Sequence, residues 1–408
     1  MKKKFKVVTL GCRTNQYESQ GYTDQLRQMG YEAAGEGEEA DLCIVNTCTV
    51  TEGADSSSRH QVRNLLKENP KARMAVTGCM AESAPDALRA IDSRLELIPN
   101  LEKEQLIEKL FPDVESLPEF QIQGFEAHTR AFVKVQDGCN SFCTYCIIPY
   151  VRGRSRSRQI AELVDEVEQL VRNGYKEVVL TGINVGDFDG GGTLADLVRA
   201  VDAVNGLERL RISSIDPDEV NDDLADAVLN GKVTCPSMHI VLQSGSNAIL
   251  KRMNRKYTRQ IFVETVERLL AAQPDFTFTT DVIVGFPGET EGDFEETCSL
   301  IRQVRFAKVH MFPYSPRKRT RAALYPNRVL PEVIQERKHK LLRLAEQVAF
   351  ELREQFVGRT MPVLIEQGQE GHTSNFLRVQ GIENSIHNEI VQVRLLRNEP
   401  DGLVGQKL

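Results

Sequence analysis

Short apolar runs rich in β-branched residues alternate with longer polar or amphipathic stretches along most of this chain. In the N-terminal part, Lys6–Leu10, Leu42–Asn46 and Arg73–Thr77 each read as a strand followed by a helical or polar segment. That order predicts an α/β fold that opens with a largely parallel sheet. From Ala131 to Tyr314 the alternation continues, with candidate strands at Phe132–Val135, Glu177–Thr181, Arg209–Ser214, His239–Gln243, Thr279–Val284 and Lys308–Phe312. Helical patterns lie between them, for instance at Ile160–Arg172 and Arg259–Ala272. Six β/α units are too few for a full eight-stranded barrel but suit a partial one, whose side opening would admit a large substrate.

Pro331–Phe356 reads as one amphipathic helix with Ile334, Leu341, Ala345, Val348, Leu352 and Phe356 along one stripe. Beyond it, Met361–Glu366, Phe376–Val379 and Ile390–Leu396 are short β-rich runs separated by glycine and polar turns, the pattern of a small β-barrel. Three domains are therefore expected, over residues 1–125, 126–356 and 357–408.

Composition narrows the class without deciding it. The chain has 408 residues, 41% apolar and 27% charged, ordinary for a globular protein of two or three domains. No run reaches the ~18 apolar residues of a membrane span. The apolar part of Met1–Cys12 is only about four residues, shorter than a secretory core of ~7–15, so it reads as a first strand. Nine cysteines in such a chain argue against a disulfide framework and for reduced thiols, which makes a cytoplasmic location the expectation. The net charge of −7 is uneven: Ser315–Leu408 holds 15 basic against 11 acidic residues, and the preceding part 36 against 47. An acidic body with a basic tail can still hold a polyanion, because local charge sets the field a ligand meets.

Six of the cysteines fall into two sets. Cys139, Cys143 and Cys146 have the spacing C-x3-C-x2-C. Three thiolates in one tight loop suit a cubane iron–sulfur cluster with one iron left open to a small molecule. Zinc is the competing reading, but zinc sites usually add a second pair or a histidine, and none follows here. Cys12, Cys48 and Cys79 each stand just past the carboxyl end of a predicted strand. In open α/β sheets that edge binds ligands, so the three would converge on a second cluster site. Cys43 lies inside a strand and reads as core, and Cys235 and Cys298 have no evident partners.

With both sets placed, the chain resembles the methylthiotransferases, a radical S-adenosylmethionine family, over its whole length. The motifs are Thr9-Leu10-Gly11-Cys12, Asn46-Thr47-Cys48-Thr49-Val50, Thr77-Gly78-Cys79 and Val135-Gln136-Asp137-Gly138-Cys139 through Cys146. Leu242-Gln243-Ser244-Gly245-Ser246, Met253-Asn254-Arg255-Lys256-Tyr257-Thr258 and Gly285-Phe286-Pro287-Gly288-Glu289-Thr290 follow in the family's order.

The resemblance implies a methylthiotransferase domain, a radical S-adenosylmethionine domain and a C-terminal TRAM domain. It implies two [4Fe–4S] clusters, a catalytic one on Cys139, Cys143 and Cys146 and an auxiliary one on Cys12, Cys48 and Cys79. Tyr145 would pack on the adenine of S-adenosylmethionine, and Gly182 and Asn184 would stand near its amino group. Gln243 and Val284 are further candidates for the cofactor wall. The reaction implied is conversion of an adenine C2–H to a methylthio group, chemistry that belongs to the cofactors.

Arg152, Arg154, Arg156 and Arg158 occupy every second position after Cys146, and Arg317, Lys318, Arg319 and Arg321 form a second basic run. Guanidinium groups alternating along an extended segment would line one face, suited to the phosphates of tRNA. A sulfur donor and an electron donor are further partners, and neither their identity nor the oligomeric state is written in the sequence. Thr9–Ser19 and Thr47–Thr51 look like the branch acting on N6-threonylcarbamoyladenosine at position 37 of tRNA. The rival readings are isopentenyladenosine in tRNA, a ribosomal-protein aspartate, and an iron–sulfur electron-transfer or RNA-binding protein without catalysis.

Overall fold

The computed structural model describes residues 2–125 and 128–408. The expected boundary between the first two domains therefore adjoins residues 126–127, outside the described ones.

The N-terminal sheet has five parallel strands: β1 (Lys4–Thr9), β2 (Glu32–Ala33), β3 (Leu42–Thr47), β4 (Arg73–Gly78) and β5 (Leu95–Leu97), in the order β2-β1-β3-β4-β5. Central β3 is buried at every position, as a parallel strand covered on both faces should be. Two apolar clusters form those covers. One contains Cys43, Val45 and Val62, the other Tyr22, Ile44 and Leu106. The helices α1 (Arg13–Gln28), α2 (Glu52–Glu68) and α3 (Cys79–Ser83) follow β1, β3 and β4 directly.

The second unit is the partial barrel expected from six β/α repeats. Its first three strands are β6 (Arg130–Lys134), Glu177–Thr181 and Arg209–Ile212; the other three are Ser237–His239, Thr277–Val284 and Lys308–Pro313. All pair in parallel, and single bridges Leu210↔Thr234 and Ile215↔Ile240 join the two groups. Capping boxes start the helices Leu194–Asp202 and Glu291–Val304 at Thr193 and Thr290, satisfying first-turn amides. Helix α1 packs on edge strand β6, so the N-terminal domain lies beside the opening of the barrel.

The long helix is Pro331–Glu354. It packs on Lys308–Pro313 and carries the chain to a closed antiparallel and parallel barrel of five strands, Thr360–Ile365, Gly371–Thr373, Arg378–Gln380, Ile390–Glu399 and Gly402–Lys407. That barrel docks at the amino ends of the central strands: Arg209 Nη1 and Nη2 donate to His372 O (2.9 Å) and Pro362 O (2.8 Å), and Asn375 Nδ2 donates to Asp275 O (3.0 Å). No helix among the described residues is long and apolar enough to cross a membrane.

Candidate active site

The three strand-end cysteines of the N-terminal domain lie side by side because β1, β3 and β4 are neighbours in register, Thr9 opposite Asn46 and Asn46 opposite Thr77. Two glycines permit the approach. Gly11 has φ +98°, and a Cβ there would sit 2.8 Å from Cys48 Cβ; Gly78 has φ +89°, and a Cβ would strike the Thr47 backbone at 2.5 Å. Only glycine fits both the space and the left-handed backbone. Asn15 then ties the edge together, its Nδ2 donating to Leu10 O (2.6 Å) and Thr47 O (3.1 Å), while Thr47 Oγ1 donates to Thr77 O (2.6 Å).

The loop carrying Cys139, Cys143 and Cys146 is anchored at both ends. A Cβ on Gly138 would lie 2.0 Å from Arg154 O. Cys139 N donates to Gly153 O (3.2 Å), Thr144 N to Met253 O (2.9 Å) and Cys146 N to Cys143 O (3.0 Å). Short helix Ile148–Val151 then leaves the loop and packs with Cys79 through Ile147, Ile148 and Val151. The two cysteine sets are thus neighbours.

A cavity of about 410 Å³ opens beside them. Cys12, Cys139, Cys143 and Cys146 all line it, as do Tyr145, Gly182, Asn184 and Gln243. All nine cysteines are free; Cys48 and Cys79 are buried, whereas Cys12 is exposed. Burial pushes the Cys48 thiol up to about 11 and the Cys146 thiol up to about 12, the latter reinforced by Cys143. A bound metal charge that replaces the proton would offset that cost of burial. Among the described residues no three or more His, Cys, Asp or Glu side chains gather round one metal ion. A cubane takes each thiolate at a separate iron corner, so the loop triad, three free thiols lining an open cavity, fits it better than it fits zinc.

Of the residues expected at the cofactor, Tyr145 stands edge-on to Phe286, ring centroids 6.4 Å apart. Gly182 sits against Gln136, where a Cβ would meet Oε1 at 3.0 Å. Gln136 Oε1 accepts from the amides of Ile183 (3.0 Å) and Asn184 (2.9 Å), which fixes the turn. Gln243 holds φ +61° between Asp281 O and Ile283 N, and its own Oε1 is buried without a partner. Val284 is different. It is fully buried in the core and does not line the cavity, because its side chain points to the other face of its strand.

The basic residues divide. Arg154, Arg156, Lys318, Arg319 and Arg321 are exposed. Arg154 and Arg319 stack over Phe142 and Tyr150, 4.5 and 5.1 Å from the ring centroids. Arg158 is half-buried against Glu166 at 2.7 Å. Arg152 and Arg317 correct the expectation of a phosphate-facing row. Arg152 is wholly buried, Nη1 donating to Asp137 Oδ1 (2.9 Å) and Glu18 Oε1 (3.1 Å) and Nη2 to Asn15. Arg317 is buried on Asp55 and Thr49.

Two features escaped the sequence reading. Lys103 Nζ lies 2.6 Å from both Glu18 and Asp137, and Lys134 pairs with Glu104 at 2.5 Å, so Arg152 belongs to a buried ionic lattice between the two domains. Burial alone would raise the Glu18 carboxyl, yet Lys103, Arg152 and Lys134 bring it down to about 2. The second is Arg255, whose Nη1 donates to Cys143 Sγ at 3.0 Å while Nη2 pairs with Asp216. Nearby Glu219 accepts from Asn184 Nδ2 (2.9 Å), and burial with Asp216 close by pushes it up to about 7. Arg255 lies within a quoted motif, but its partner is 112 residues away and no local spacing links them.

The comparisons with known proteins agree with this geometry. The Radical SAM superfamily matches residues 133–301, the partial barrel, and Uncharacterized protein family UPF0004 matches residues 4–98, the first sheet. A threonylcarbamoyladenosine tRNA methylthiotransferase MtaB of Chlamydia pneumoniae is 50% identical over 410 residues, covering 98% of this chain and 97% of its own. The chain belongs to the radical S-adenosylmethionine tRNA methylthiotransferases.

The MtaB of Bacillus subtilis is 36% identical, with 95% of this chain and 93% of the relative covered. A tRNA-2-methylthio-N(6)-dimethylallyladenosine synthase of Caldicellulosiruptor saccharolyticus is 37% identical over 89% and 82% of the two chains. Among solved structures, the radical S-adenosylmethionine methyltransferase TsrM of Kitasatospora setae superposes with a TM-score of 0.57 at 15% identity, over 76% of this chain and 72% of that one, a likeness of fold alone. As a radical S-adenosylmethionine enzyme, the methylthiotransferase uses S-adenosylmethionine and a [4Fe–4S] cluster.

Proposed function

We propose that this methylthiotransferase acts on N6-threonylcarbamoyladenosine at position 37 of tRNA and installs the methylthio group at adenine C2. We further propose that it does so with two [4Fe–4S] clusters, one on Cys139, Cys143 and Cys146 and one on Cys12, Cys48 and Cys79. The observation that carries this reading is that Cys12 and the three loop cysteines line one cavity. A substrate base there would have both sets within reach.

The bound cofactors supply radical C–H activation and the sulfur, which side chains cannot. The chain's own residues hold and orient. Tyr145, Gly182, Asn184 and Gln243 would form the wall against S-adenosylmethionine, with Gln136 fixing the 182–184 turn. Arg255 Nη1, donating to Cys143 Sγ, holds that side chain in place. Exposed Arg154, Arg156, Lys318, Arg319 and Arg321 would meet the tRNA backbone. The half-buried Arg158 stays with Glu166.

The substrate named for the relative at 50% identity, the MtaB of Chlamydia pneumoniae matched over 98% of this chain, supports threonylcarbamoyladenosine, whereas relatives at 34–37% carry both substrate names. Reconstituted enzyme should be given tRNA from cells lacking either precursor modification, with nucleosides read by mass spectrometry. The 2-methylthio form of threonylcarbamoyladenosine is expected. Methylthiolation of isopentenyladenosine, with threonylcarbamoyladenosine untouched, would contradict the reading.

A further inference from the structure

A second cavity of about 370 Å³ lies inside the partial barrel and shares Cys12, Gly182, Ser214 and Asp281 with the cavity beside the cysteine loop. Of the six cysteines in the two sets, Cys12 alone lines it. Its wall brings together Arg13 from the first turn of α1, Arg130 and Arg211 from the barrel strands, and Phe376 from the C-terminal barrel.

Two of these cations are already partnered. Arg211 Nε donates to Glu177 Oε1 (2.7 Å) and its Nη2 to Thr373 O (3.1 Å), and Arg130 lies 3.3 Å from Glu366 Oε2. Arg13, an exposed residue at the mouth of the chamber, has neither a hydrogen bond nor an ion pair among the described residues; its guanidinium lies over the Phe132 ring, 5.5 Å from the centroid. It also begins a helix with no acidic residue in the first turn, where the helix field already disfavours a cation.

Further polar atoms on the same wall are buried and unpartnered: Arg211 Nη1, Ser213 Oγ and His239 Nε2. Asp281, which lines both cavities, lies 3.5 Å from His239 Nε2. Buried polar groups are normally paired, so Arg211 Nη1 and Ser213 Oγ, left without partners beside the Arg13 cation, mark a site for a polar, anionic ligand.

We propose that this chamber receives the N6 substituent of the target adenosine and that Arg13, with Arg211 Nη1 and Ser213 Oγ, binds its carboxylate. The assignment rests on the threonylcarbamoyl reading above and deepens it. An adenine at the residues common to both cavities presents C2 to the cysteines while its substituent enters the lumen. A guanidinium and a carboxylate match in charge and fork geometry. An isopentenyl group would leave the same donors unpaired, so the chamber selects as well as binds.

The test uses reconstituted holoenzyme and two anticodon stem–loop RNAs, one with threonylcarbamoyladenosine and one with its carboxylate blocked as the methyl ester. Affinity is read by fluorescence anisotropy and product by mass spectrometry. Wild-type enzyme should bind the free carboxylate about tenfold or more tightly than the ester. Arg13→Gln should abolish that preference, and Arg13→Lys should restore part of it. Equal binding of both RNAs by the wild type, or an undiminished preference in a folded Arg13→Gln variant, overturns the assignment while leaving the substrate reading intact. A wild type that ignores both RNAs and modifies isopentenyladenosine overturns the substrate reading and this proposal with it.

Discussion

At the scale of single residues, the difference between Arg152 and Arg154 shows what spacing conceals. Alternating arginines would share a face only on a continuous extended segment. Here the helix Ile148–Val151 is followed by Arg152 at its C-cap, and the next strand is the two-residue Arg156–Ser157. Arg152 therefore turns inward to Glu18 and Asp137, while Arg154 remains outside and Arg156, though exposed, reaches in to Asp137 Oδ2 at 3.1 Å. Removing one member of a buried lattice strands the others. Arg152→Met should cost about 3–5 kcal/mol, read from chemical denaturation of the apoprotein. A loss below about 1 kcal/mol would show that the lattice does not hold the domains together. The cysteines, by contrast, were read as sets, three from the spacing of one loop and three from equivalent strand ends, and the structure places the two sets next to each other.

At the scale of elements, the strands were legible from apolar runs, and their ends shift by only a few residues: Lys6–Leu10 is observed as Lys4–Thr9, and Arg73–Thr77 as Arg73–Gly78. His239–Gln243 was placed too late. The paired strand is Ser237–His239, and beyond it Gln243 adopts a left-handed conformation that no regular strand allows. The short strands β2, β5 and Gly371–Thr373 gave no apolar run long enough to see. The basic elements carry their own prediction. Lys318, Arg319 and Arg321 are exposed where a loop enters the 3-10 helix Arg321–Leu324, so neutralising all three to Gln should weaken tRNA binding and lower the slope of log affinity against log salt by about 2. An unchanged slope would remove this loop from the interface. Adding Arg317→Gln should disturb its pairing with Asp55 rather than the salt slope.

At the scale of the whole molecule, three units converge on one place. The first sheet delivers Cys12 and Arg13, the partial barrel delivers the cysteine loop and the cavity wall, and the C-terminal barrel delivers Phe376 to the floor of the lumen. The domain order was legible from periodicity and motif order. Their docking was not, since contacts such as Tyr17 Oη to Glu166 (3.0 Å) or Arg209 to Pro362 O join residues 149 and 153 positions apart. The proposed arrangement is two cysteine triads holding two separate clusters, with Cys12 and the loop triad lining one chamber. Its most direct test is iron analysis with Mössbauer spectroscopy on the Cys139→Ala/Cys143→Ala/Cys146→Ala protein, reconstituted anaerobically beside the wild type. About eight iron atoms per wild-type chain, and about four in the triple variant in the form of a single [4Fe–4S] cluster, are the predicted result. A folded triple variant with no cluster would contradict the account, because Cys12, Cys48 and Cys79 would then hold none of their own.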